Sequence, residues 1–148
     1  MNVLKGGLPA AVGRWVVKAD VVRSRGAVVK RRGSKAALAV FFIGAGVNHF
    51  VIPGTYERIV PPGLGDPAML VRISGVAEVA GGVGVLVPRT RRPAGFGLIA
   101  LLVAVLPANV FMALNPAKFA KIPAWTLYAR LPLQPLMMRW AWRATKPS

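Results

Sequence analysis

From residue 36 onward the chain alternates long apolar runs with short links rich in proline, lysine and arginine. Runs at 36–52, 68–87, 93–114 and 123–143 are each about long enough, as helices, to cross a bilayer. The first is the shortest, at about 25 Å of helix, and it stops at Pro53. The pattern predicts an all-α fold, a membrane-spanning four-helix bundle over 35–144 preceded by a basic extension over 1–34.

The links and breaks refine that picture. Residues 53–67 carry Tyr56 to Pro62, which predicts one interfacial turn before a rigid Pro61–Pro62 stop. Pro107 lies inside the third run, removes one backbone bond and predicts a kink just before Asn109. Pro132 and Pro135 interrupt the fourth, so a kinked span is expected there, with a re-entrant or interfacial hairpin as the alternative. Trp125 and Tyr128 at one end and Trp140 and Trp142 at the other fit two aromatic belts. Small residues Ser74, Ala77, Gly81 and Gly84, at spacings of three and four, permit close helix approach.

Few polar residues interrupt the apolar runs, and those few predict a site. Glu78 falls near the middle of the second run, where a carboxylate is costly and needs a partner or water. Gln134 falls near the middle of the fourth. Asn48, His49, Arg72, Asn109 and Arg130 lie toward the outer side of their own spans. Asn48 and His49 follow the groove of Phe41, Gly44 and Ala45 on one face of the first span. Together they predict a polar ligand-binding layer, with Glu78 and Arg130 as the expected ion pair. Two arginines against one carboxylate leave a surplus cation, which favours an anionic or strongly accepting ligand such as a lipid phosphate or a quinone carbonyl. The alternatives are structural: Arg72 snorkelling to headgroups, His49 capping a helix, Asn109 and Gln134 joining helices by hydrogen bonds.

Charge changes the picture in one respect. The net charge is +16, and nine of the twenty Lys and Arg precede residue 36. Most others flank the apolar runs, which argues for membrane lipid as partner and against nucleic acid. Val12, Trp15, Val16, Ala19 and Val22 share one helical face, so 1–34 reads as an amphipathic interfacial helix or, alternatively, a disordered basic tail. It does not read as a cleavable signal peptide. Cations in the links place both termini and the 88–92 turn in the cytoplasm. The absence of cysteine excludes thiol chemistry, and one histidine with four acids makes a metal site unlikely within this chain. No cofactor motif is present, and Gly81-Gly82-Val83-Gly84 lies inside a span, where it cannot form a phosphate loop. No catalytic residue is assigned.

Several strings resemble DoxX-like membrane proteins. Val47-Asn48-His49-Phe50-Val51-Ile52-Pro53 and Arg58-Ile59-Val60-Pro61-Pro62 are similar to that family's first helix and loop. Ile73-Ser74-Gly75-Val76-Ala77-Glu78 with Gly82 and Leu86-Val87-Pro88-Arg89-Thr90-Arg91 resembles the second helix. Pro107-Ala108-Asn109-Val110 resembles the third and Arg130-Leu131-Pro132-Leu133-Gln134 the fourth. The resemblance spans about residues 36–143. It implies a multi-pass protein of the bacterial inner membrane, in a family named after a subunit of a thiosulfate–quinone oxidoreductase. Without cysteine, a redox role would need bound quinone or a membrane or soluble redox partner protein.

Three functions compete on this reading. The leading one is a non-catalytic membrane component that binds a lipid or quinone or anchors a partner. The others are a subunit of a quinone-linked oxidoreductase complex, and a small transporter or proton-conducting protein using Glu78 and His49. No internal repeat supports a transporter. A homo-oligomer stays open.

Overall fold

The computed structural model describes the backbone of residues 10–147 and the side chains of residues 28, 29 and 32–147. The chain divides into two units, Met1–Ser34 and Lys35–Ser148. Every regular element among the described residues is helical: α1 (Ala10–Val51), α2 (Pro53–Glu57), α3 (Pro67–Leu86), α4 (Arg91–Ala104), α5 (Leu106–Leu114), a 3-10 turn η1 (Pro116–Phe119) and α6 (Ala124–Thr145). The side chains of Val12, Trp15, Val16, Ala19 and Val22, expected to form an amphipathic face, lie outside the described residues.

Among the described residues three helices are long and apolar enough to cross a membrane: Arg32–Val51, Pro67–Leu86 and the α4–α5 pair Arg91–Leu114, with mean hydropathies of 1.4, 1.6 and 2.4. α6 has comparable length at 22 residues, but Arg130, Gln134, Arg139 and Arg143 keep it out of that group. Their helical form follows local rules. Asp66 caps α3, its carboxylate accepting from the Ala68 N–H at 3.0 Å, with Pro67 at the first helical position. At the other end Thr90 Oγ1 donates to the Gly84 carbonyl at 3.0 Å and Arg91 Nε to that of Val85 at 2.9 Å. Those bonds satisfy carbonyls that the end of α3 leaves free.

The expected kink takes the form of a one-residue interruption at Val105, earlier than the position just before Asn109. α4 ends at Ala104 and α5 begins at Leu106, because Pro107 has no N–H for the carbonyl four residues before it and its ring crowds that turn. Asn109 resumes the pattern, donating to the Val105 carbonyl at 3.3 Å. Pro132 and Pro135 lie inside α6 without ending it, so residues 124–145 are one helix and not a hairpin. The turn expected around Tyr56–Pro62 begins sooner, as α2 at Pro53.

One buried cluster joins Leu38 and Phe42 of α1, Val85 of α3, Leu98 of α4, and Met137, Ala141 and Ala144 of α6. A second joins Met112 of α5, Phe119 of η1 and Leu127 of α6, with Ile59 against it. Glycines bring the helices together. A Cβ on Gly46 would lie 2.6 Å from the Gly75 carbonyl oxygen, and one on Gly82 would lie 2.9 Å from that of Ala39. Gly46, Gly75 and Gly82 thus form the α1–α3 seam, while Gly81 and Gly84 face Leu98 and Ala94 of α4. Gly44, expected in the groove, meets nothing within 4 Å. Lipid-like surroundings give little reward for burying apolar groups, so such close backbone approach carries much of the packing.

Candidate functional site

The end of α1 and the connection that follows it build one wall of a cavity. Pro53 stops α1 and opens α2, which turns Tyr56 back over α1. Asn48 Nδ2 donates to Tyr56 Oη at 3.0 Å, and the Tyr56 ring lies 3.9 Å, centroid to centroid, from the His49 ring. Beside these rings is a cavity of about 520 Å3, well within the size range of small-ligand sites. Its walls include Phe42 and Met137 of the first cluster, Ile59 of the second, and Leu102 and Val105 beside the helix break. Most of the lining is apolar.

The polar atoms in it are few and poorly satisfied. His49 Nδ1 lies 3.4 Å from Glu78 Oε2, with side-chain exposures of 9% and 13%. The two atoms are in ion-pair range but not aligned as a hydrogen bond. Gln134 is 4% exposed; its Nε2 donates to the Leu102 carbonyl, two residues before α4 ends. Its Oε1 is buried without a partner. A buried polar atom left unpaired costs about 1–3 kcal/mol, so these groups need a reason to be there. Ser74, one turn before Glu78, also lines the cavity, its hydroxyl donating to the Val71 carbonyl at 3.0 Å.

Five of the seven predicted residues come together. His49, Glu78, Asn109, Arg130 and Gln134 all line the cavity. Asn48 sits behind the wall, spent on Tyr56. Arg72 is exposed and lies outside the lining. The expected Glu78–Arg130 ion pair is replaced by Glu78–His49, because the end of α1 and the middle of α3 meet where Gly46 and Gly75 bring their backbones close. A Cβ on Gly75 would lie 2.9 Å from His49 Cβ, which shows how near the imidazole rides to α3. Arg130 is exposed at the cavity wall. The surplus of buried positive charge expected from two arginines is therefore absent from the described interior. Tyr56 was missed, since reasoning by helix face does not carry around the Pro53 break; Ser74 carried a signal, four residues before Glu78. Among the described residues no three His, Asp or Glu side chains cluster as metal ligands.

A search of curated proteins and a search of solved structures return no match. A family model described as "Domain of unknown function (DUF8561)" matches residues 38–145. That span runs from the fully buried Leu38 to the end of α6, and takes in every wall of the cavity. The chain belongs to the DUF8561 family.

Proposed function

We propose that this protein is a DoxX-like, non-catalytic component of the bacterial inner membrane that holds an amphipathic small molecule, a lipid or a quinone, in the cavity between its helices. α6 is the fourth crossing in this reading, and both termini lie in the cytoplasm. The observation that carries the proposal is a mostly apolar cavity of about 520 Å3 with His49, Glu78 and Gln134 as buried polar groups in its wall. An apolar wall suits a tail or ring, and the few polar atoms suit one head group. The membrane setting is supported by how little of the apolar helices is covered: 22%, 22% and 17% of the three candidate windows is buried inside the protein. Exposed Val40, Val51, Leu114 and Trp125 belong against lipid or a partner. If electrons pass here, a partner protein has to supply the redox centre.

Purification in mild detergent, followed by mass spectrometry of co-purified lipids and quinones, tests the reading. His49→Ala is expected to lower the bound molecule at least about tenfold, the effect of losing roughly 1.4 kcal/mol. The same lipid and quinone content in the wild type and the variant would overturn it.

A further inference from the structure

Gln134 is held in one orientation in the cavity wall. A backbone carbonyl can only accept, so the group that faces the Leu102 carbonyl has to be the amide nitrogen, as the structure has it. The orientation of the amide is therefore not free. Its oxygen is an acceptor, buried in a side chain that lines the cavity, with no donor among the described residues to satisfy it. Glu78 Oε2 is a second buried oxygen without a hydrogen bond, facing His49 Nδ1 across 3.4 Å. Of the donor-capable atoms named on the same wall, only His49 Nδ1 is likewise buried without a hydrogen bond, and it already faces the Glu78 carboxylate. Arg130 is exposed and Asn109 half-buried, while the Ser74 hydroxyl proton is committed to Val71.

Resting on the proposed reading of this cavity, we infer that its ligand carries a hydrogen-bond donor, a hydroxyl or N–H on an apolar body, and that Gln134 Oε1 is the group that selects it. Both oxygens are buried, so a ligand in the cavity pairs with them only if neighbouring side chains shift. A head group offering acceptors alone, an oxidised quinone included, leaves Gln134 Oε1 unsatisfied and adds a desolvation penalty of its own. The rule therefore narrows the proposed ligand to a lipid with a hydroxyl or N–H head, or to a quinol. A site built to hydrogen-bond one group rejects the analogue that lacks it more strongly than an apolar pocket rejects a change of size.

The full chain in dodecyl maltoside, titrated with 4-octylphenol and with its methyl ether 4-octylanisole, tests the inference. The two probes are nearly equal in size, and the ether has no donor. The phenol is expected to bind at least tenfold more tightly, read as the concentration giving half-maximal thermal stabilisation. In Gln134→Met the two probes are expected to bind alike, which also corrects for their partition into micelles. Should that variant fail to fold, the wild-type ratio still decides. Equal affinities, or preference for the ether, would overturn the donor rule and leave the cavity as a binding site. Binding of neither probe would overturn both the rule and the proposed ligand site.

Discussion

His49 and Glu78 are each nearly enclosed, so removing either leaves the other facing apolar walls. A lost partner of that kind costs about 1–3 kcal/mol. His49→Ala and Glu78→Ala are each expected to lower stability in detergent by that order, and the double variant by less than the sum. Coupling is the mark of contact. Arg130→Ala combined with Glu78→Ala is expected to be additive, since the arginine is exposed and forms no ion pair with Glu78. Chemical or thermal unfolding of these variants checks both statements; additive His49 and Glu78 effects would remove the pair from the account. Residue types alone flagged all three. They did not say which cation Glu78 would meet, because the choice between His49 and Arg130 depends on where α1 crosses α3.

That crossing is set by glycines, and it gives a prediction at the scale of the helix. A Cβ at position 46 would press on the Gly75 carbonyl oxygen at 2.6 Å and on Val79 Cγ2 at 2.8 Å. Backbone cannot yield as a side-chain tip does. Gly46→Ala is expected to force α1 and α3 apart at a cost of about 1–3 kcal/mol. Gly44→Ala, two residues away with nothing within 4 Å of its added atom, is expected to be neutral or to stabilise the helix by up to about 1 kcal/mol. Unfolding midpoints of the two variants, compared in one detergent, decide the matter. The connection after α1 obeys a similar logic. Gly63 and Gly65 have φ of 91° and 111°, a backbone region in which a side chain is strained, so the chain returns from α2 to α3 in a short link.

At the scale of the molecule the predictions concern topology. Cysteine introduced at Thr55 is expected to react with a membrane-impermeant reagent applied to whole cells, while cysteines at Arg89 and Lys146 are protected. Equal labelling at Thr55 and Arg89 would show that α3 does not cross. Labelling at Lys146 but not at Arg89 would show that α6 does not cross. The buried clusters all lie at or after Leu38. Deleting residues 2–33 is therefore expected to leave detergent stability nearly unchanged; loss of the folded protein would count against that separation.

Hydrophobic periodicity and proline placement located the long apolar helices by themselves, but not the unbroken backbone helix that carries α1 from Ala10 through the expected boundary at 34 to Val51. A long apolar run has few ways to satisfy its backbone other than a helix, and Pro53, Asp66–Pro67 and Pro107 mark ends that any tertiary arrangement would inherit. The costliness of polar groups in such runs likewise drew attention to His49, Glu78, Asn109, Arg130 and Gln134 before any contact was known. Three things had to wait for the packed structure. Periodicity pairs Gly75 with Gly82 and Gly81 with Gly84 on two faces of α3, but which neighbouring helix each face meets depends on rotation about the helix axes. The structure sets the first pair against α1 and the second against α4. The place of Tyr56 in the cavity wall depends on the direction in which the chain leaves Pro53. The orientation of Gln134 depends on a carbonyl 32 residues away in sequence, freed beside a helix break. Local sequence fixes where a polar group sits along its own helix, but its partner is chosen across helices.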